Sequence, residues 1–333
     1  MMKLPYELIK REVLVRKEAK TDEKHGSRPE ERTTKELINY GIININKPSG
    51  PTSHQVSDYV KKILKIDKAG HSGSLDPKVT GVLPIALGKA TRITDILLKT
   101  GKEYVALMHL HKDVEEKKLK AVLKEFVGEI KQLPPIKSAV KRQERMRNIY
   151  YLEVMEIEGR DVLFRVGCQA GTYIRKLIHD IGLKLGVGAH MAQLIRTRVA
   201  SFTDRNMITL HDLKDAYETY KEGNEKELRK IILPIEKATE HLPKVWVFDS
   251  AINNLCHGAD LYFGGISKVH SGISDGNIVA VMSLKGELVC LGKSEFSSEE
   301  LLEGLKGVAV KTSKVFMEIG VYLKENVTKE HSL

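Results

Sequence analysis

The chain switches repeatedly between stretches with a two-residue apolar repeat and stretches repeating every three to four residues, and these switches mark out its elements. Residues 41–46 (GIININ) read as the first core strand. The turn-forming KPSGPTS that follows leads into a helix over 54–66, with Thr52 or Ser53 as its cap and Val56, Tyr59, Val60, Ile63 and Leu64 on one face. Residues 103–110 alternate as a strand, with Tyr104, Ala106, Met108 and Leu110 on one side and Val105, Leu107 and His109 on the other. A helix over 118–126 precedes two strands, 150–157 and 161–168, joined through a turn at Gly159. Past Gly171, Thr172 and Tyr173, the positions Ile174, Leu177, Ile178, Ile181 and Leu185 draw a helical stripe that Gly186 or Gly188 ends. Residues 210–240 read as helical and polar. Beyond Pro243 the pattern changes to short strands, with 277–284 and 287–292 as a hairpin, which predicts a compact all-β module over 244–318. The segment 17–36 is dense in charge with little to bury; residues 1–40 read as an extension packing on the β module, and 319–333 as a tail.

At 333 residues the chain is long enough for about two domains. Its 41% apolar content supports a packed core and excludes overall disorder. Cys168, Cys256 and Cys290 stand far apart with no CxxC pair, which suits a reducing compartment and argues against a disulfide scaffold or a structural zinc site. No apolar run approaches a membrane span, and the first twenty residues lack a signal-peptide core. The net charge of +10 resides wholly in 41–243, with 35 basic and 25 acidic side chains; 244–318 carries −2. A basic central domain points to a polyanionic partner, because neutralising phosphates releases condensed counterions. The stretch 137–147, with Lys137, Lys141, Arg142, Arg145 and Arg147 against Glu144, follows Pro134 and Pro135 and reads as an exposed basic loop or hairpin.

The densest group of special residues is GHSGSLDPKVTG over 70–81, with one carboxylate, Asp76, locked ahead of Pro77. The same residues fit a long turn in which Asp76 caps a helix. They fit neither a P-loop nor a dinucleotide-binding turn, which lack counterparts here. In the sharper reading Asp76 is the sole reacting group, with Arg175 able to pair with it and fix its direction. A carboxylate with no metal, thiol or Ser/His partner suits nucleophilic or proton-transfer chemistry at a sugar or base carbon.

Six ordered motifs carry a resemblance: 41–53, 70–93, 102–110, 134–141, 171–182 and 194–198. Together they are similar to the TruB-type pseudouridine synthases, and most to the dyskerin branch, the catalytic subunits of H/ACA guide-RNA particles; the region after 257 resembles a PUA RNA-binding module. The resemblance implies an α+β pseudouridine synthase fold, with a central, largely antiparallel sheet flanked by helices over 41–243, plus a small β-barrel PUA domain over 244–318. It implies isomerisation of uridine to pseudouridine in guide-directed rRNA and in the tRNA T-loop, without cofactor or metal. Guide RNA, rRNA, tRNA and small accessory proteins of the particle are the implied partners, with no membrane. Asp76 matches the catalytic aspartate, Tyr104 the residue that stacks on the target uracil, and Arg175 the partner of the carboxylate. His71, Lys89, Tyr173 and Leu194 match positions near the target nucleotide, and Lys47 and Pro48 a fold-supporting motif. A flipped base loses its stack, and an aromatic ring offsets part of that loss. The sequence departs from the pattern at Ile195 and at Val199, Ala200 and Ser201, where relatives carry a basic residue and a turn-prone SGP, which removes support for RNA contacts there. A stand-alone tRNA enzyme and a non-catalytic RNA-binding scaffold are the rival readings, the latter opposed by the trio Asp76, Tyr104 and Arg175. The missing Lys-rich tail of nucleolar relatives implies the archaeal form, in the cytoplasm.

Overall fold

The computed structural model describes residues 2–134 and 143–322. The chain divides into two compact units, one drawn from 1–8 and 37–233, the other from 9–36 and 234–333. The stretch 1–40 is therefore not one extension: its first eight residues and its last four fold with the larger unit.

In the larger unit the strands are Gly41–Lys47 (β1), Ala69–His71 (β2), Thr80–Leu87 (β3), Lys102–Leu110 (β4), Gly128–Gln132 (β5), Arg145–Glu158 (β6), Asp161–Cys168 (β7), Ala189–Val199 (β8) and Phe202–Thr203 (β9). The main path of the sheet runs β1-β3-β8-β4-β7-β6-β5. Its neighbours pair antiparallel except β3 with β8. The alternation read in 103–110 is real: Tyr104, Ala106, Met108 and Leu110 are buried, while Val105, Leu107 and His109 are partly exposed. Their face packs on Ile174, Leu177, Ile178, Ile181 and Leu185 of helix Ile174–Leu185, which Gly186 ends in a left-handed conformation at φ 78°. Helix Ser53–Leu64 starts from a reciprocal cap, in which Thr52 Oγ1 accepts from Gln55 N (3.2 Å) and Thr52 N donates to Gln55 Oε1 (2.8 Å). Its buried face meets Ile43, Ile45, Leu83 and Ile85.

Several expectations change. Arg145 and Arg147 open the fourteen-residue strand β6 and pair with β5, Gln132 facing Arg145, so they stand on a hairpin; Lys137, Lys141 and Arg142 lie outside the described residues. The helical stretch 210–240 is two helices, Leu210–Lys221 and Lys226–Ile231, followed after Leu233–Pro234 by the 3-10 turn Ile235–Thr239. The smaller unit is not all-β, since it carries helices Asp249–Cys256 and Ser298–Glu303. Its seven-stranded sheet orders as Val13–Val15, Ile266–His270, Lys244–Val247, Ile278–Met282, Leu288–Ser294, Val308–Val315 and Leu261–Tyr262. Val13 pairs with His270 and Val15 with Lys268, so part of 1–40 joins the β module as an edge strand.

Candidate active site

Asp76 sits in the connection between β2 and β3, and the residues around it explain why it points outward. Leu75 and Val79 are buried in the main core, which anchors the loop on both sides of the carboxylate. Leu75 N donates to Ser53 Oγ at 2.8 Å, and Val79 N to Asp76 O at 2.9 Å. The fully buried Lys47 ammonium donates to the carbonyls of Pro48, Pro77 and Val79, each at 2.9 Å. Three acceptors from two loops on one donor group fix the path of both. Only glycine serves at position 81, where φ is +101° and a Cβ would stand 2.2 Å from Arg196 O.

The Asp76 side chain is left 56% exposed, and Arg175 Nη2 donates to its Oδ2 from the first turn of helix Ile174–Leu185, itself 60% exposed. The start of that helix is set by Gln132 of β5, whose buried amide accepts from Tyr173 N (3.0 Å) and donates to Tyr173 O (3.1 Å). The pair is thus placed by two core anchors but faces solvent, where a polymer can reach it.

Beneath the loop lies a second group that sequence reasoning missed. Arg196, 1% exposed, donates from Nε to Val82 O (2.7 Å) and from Nη2 to Gly73 O (3.2 Å), and it faces Tyr104 across the pairing of β4 with β8. Lys102 is buried and donates to the carbonyls of Leu97 and Leu98 (3.1 Å each) and Thr100 (2.8 Å). Burial, aided by Arg196, lowers its ammonium to a pKa of about 7. The same two causes lower Lys47, and burial followed by Arg196 and His54 lowers His71. Burial raises the Tyr104 hydroxyl, while Arg196 pulls it the other way. Nothing in the polar run of β8 sets Arg196 apart from Arg198 two residues on, and a bulge between them breaks the alternation that would have pointed it inward.

Of the residues singled out from sequence, Asp76 and Arg175 meet directly, and Tyr104 stands opposite Arg196, which holds the Asp76 loop at Gly73 O. His71 ends β2, its Nδ1 accepting from Gly73 N at 3.3 Å. Tyr173 is half-buried at the helix start, and Leu194 is partly buried against the main core beside Ala106 of β4. Lys89 is exposed in the turn Gly88–Ile93 after β3. Arg147 lies against Gly171, where a Cβ would stand 3.2 Å from Nη2, and donates from Nη1 to Met146 O (2.8 Å). Among the described residues no group of three His, Cys, Asp or Glu side chains could hold a metal ion, and no helix is long and apolar enough to cross a membrane.

A largely antiparallel sheet presents one carboxylate–guanidinium pair on a core-anchored loop, in a chain with a second, smaller unit, and the family comparisons make this class of protein an RNA pseudouridine synthase. Residues 61–174 match the N-terminal domain of TruB family pseudouridylate synthase and 175–240 the C-terminal domain of tRNA pseudouridylate synthase B; residues 243–316 match a PUA domain and 2–57 a DKCLD domain. A probable tRNA pseudouridine synthase B of Pyrococcus furiosus is 60% identical over 319 residues, covering 95% of this chain and 94% of that one. Its counterpart in Methanosarcina barkeri is 53% identical over 333 residues, covering 99% and 98%. The chain matches a crystal structure of a Cbf5-Nop10-Gar1 complex with a TM-score of 0.92 at 59% identity, covering 96% of this chain and 98% of that one. It matches an H/ACA RNP bound to a substrate RNA containing 2'-deoxyuridine with a TM-score of 0.91 at 56% identity, covering 97% and 99%. The chain belongs to the TruB family of pseudouridine synthases, in its dyskerin branch.

Proposed function

We propose that the chain converts uridine to pseudouridine in rRNA as the catalytic subunit of an H/ACA-type guide particle, and in tRNA as well, with Asp76 as the reacting group. The carboxylate labilises the bond between uracil N1 and ribose C1', by attack on the sugar or by removal of a sugar proton. The freed base turns, C5 bonds to C1' as the carboxylate gives back the sugar carbon or proton it took, and the C5 proton leaves while N1 takes one up, so the reaction neither gains nor loses atoms. Arg175 orients the carboxylate, and Tyr104 stacks on the uracil once it has left its helix. His71, Lys89, Tyr173 and Leu194 line the space around that nucleotide. Arg145 and Arg147, together with Lys141 and Arg142, bind RNA backbone. In this division of labour 41–243 is catalytic, 244–318 is the RNA-binding PUA domain, the 9–36 part of the extension 1–40 supports it and 319–333 is a tail.

The observation that carries this reading is the Asp76–Arg175 ion pair, exposed on a loop fixed from below by buried cations. Relatives named as tRNA pseudouridine synthases support the tRNA activity, and matched structures titled as complexes with Nop10 and Gar1 support small accessory partners. Three buried free thiols fit a reducing, cytoplasmic setting. Tritium release from C5-labelled uridine tests it, with rRNA fragments and tRNA as substrates, each with and without guide RNA and accessory proteins. Release from tRNA by the chain alone, and from rRNA only with guide and partners, is expected. No release from either under any condition would leave a binding scaffold.

A further inference from the structure

Residues 2–8 fold with the larger unit, although the segment that follows them belongs to the smaller one. They dock at the end of β8. Leu4 is fully buried, the Tyr6 hydroxyl donates to Ala200 O at 2.6 Å, and the Glu7 carboxylate accepts from Arg198 Nη1 at 2.6 and 2.7 Å. Arg198 stands where β4 and β8 change register. Glu103 faces Arg198, but the next pair is Tyr104 with Arg196, so Thr197 is the extra residue of a bulge. Thr197 Oγ1 donates to Glu103 Oε1 at 2.8 Å, and the Tyr151 hydroxyl donates to Oε2 at 2.5 Å. Arg198 Nη2 lies 3.8 Å from that same Oε1, beyond hydrogen-bond reach.

Two donors thus face one buried oxygen, and Glu7 decides between them. By holding Arg198 through Nη1 it leaves Oε1 to Thr197. The bulge so latched sends Arg196 to Val82 O and to Gly73 O, three residues ahead of Asp76. A buried guanidinium that loses its carboxylate is costly, and Glu103 Oε1 is close enough to receive it at the expense of Thr197. A glutamine would accept from Leu4 N as Glu7 does at 2.7 Å, so capping the short helix Pro5–Leu8 does not by itself call for a charge. We infer that Glu7 is a positioning residue for the synthase reaction: it holds Arg198 off Glu103, which keeps the Thr197 bulge latched and Arg196 on the loop that bears Asp76. The inference rests on the role proposed above for Asp76.

The test is single-turnover tritium release by the full chain on C5-labelled tRNA, with folding and RNA affinity measured in parallel. Glu7→Gln should fold, bind RNA within about twofold of the parent, and release tritium roughly 5–50-fold more slowly, as for a small misplacement of reacting groups. Thr197→Val, which keeps the shape and removes the latching hydroxyl, should cause a loss of the same size at unchanged affinity. In the double variant the losses should not add, with Glu7→Gln lowering the rate by less than about twofold in the Thr197→Val background. Equal losses in both backgrounds, a loss confined to RNA affinity, or a parental rate for Glu7→Gln would overturn the inference. Should Glu7→Gln fail to fold, Thr197→Val alone decides, and a parental rate there overturns it. Turnover by Asp76→Asn is a different failure, because it removes the role proposed for the carboxylate itself.

Discussion

The smaller unit closes its buried carboxylates with direct partners, whereas the cations buried beneath the Asp76 loop have no carboxylate partner among the described residues. In the smaller one, Arg32 and Glu236 form a two-pronged pair, both bonds 2.8 Å, and Glu236 also accepts from Leu288 N at 2.9 Å. Glu287 there is satisfied by Ser283 Oγ (2.9 Å), the Tyr322 hydroxyl (2.7 Å) and Ser27 N (3.1 Å). In the synthase unit, Lys47, Lys102 and Arg196 are as deeply buried, yet they direct their donors to main-chain carbonyls rather than to a carboxylate. Paired charge closes a structure. Cations with no acidic partner beneath a loop fix its path and leave a positive field there.

The contrast predicts separable effects. Glu236→Gln leaves the Arg32 charge buried without its partner and should destabilise the smaller unit by about 3–5 kcal/mol, read from denaturant unfolding. The tritium-release rate per folded molecule should stay unchanged, and a loss below about 1 kcal/mol would mean the pair is not what holds that region. Lys47→Met removes the shared donor of three buried carbonyls and should destabilise by about 1–3 kcal/mol. Unlike Glu236→Gln it should also slow the reaction more than about tenfold, because the loop loses its fixed path; a slow-down no larger than that of Glu236→Gln would erase the distinction.

A third difference is in pH. Lys102 titrates at about 7 in the fold against an ordinary lysine value of 10.5. Between those values the unfolded chain binds more protons than the folded one, so this group makes stability rise with pH, by up to about 1.4 kcal/mol per unit. Below pH 7 the penalty is fully present. Unfolding measured from pH 7 to 10 should show that slope in the parent and a flatter one in Lys102→Met, and identical slopes would place the charge elsewhere. The smallest effect is expected on the hairpin. Replacing Arg145 and Arg147 with alanine should reduce the log–log salt slope of RNA binding by about one for each phosphate that is no longer neutralised, with folding unaffected. An unchanged slope would remove both from the RNA-binding surface.

Much of this was legible in the chain. The stripe from Ile174 to Leu185 and the alternation from Tyr104 to Leu110 each bury one face, and such elements announce their own period. Asp76 and Arg175, far apart along the chain, were joined by family likeness and not by spacing. Strand Thr80–Leu87 was hidden because nearly all of it is buried, so the run does not alternate. Arg196 escaped because the bulge at Thr197 puts it out of step with Arg198, so no single two-residue alternation runs through the end of β8. The split of 1–40 was unreadable for another reason: the short strand Val13–Val15 finds its partner, Ile266–His270, near the other end of the chain, and so short a strand has no period to detect.

The most direct measurement is tritium release by Asp76→Asn on C5-labelled RNA, beside folding and RNA-binding controls. An amide keeps the size and the loop but neither attacks the sugar nor takes its proton. The account predicts a folded protein that binds RNA as tightly as the parent and releases no tritium. Turnover by that variant would contradict it.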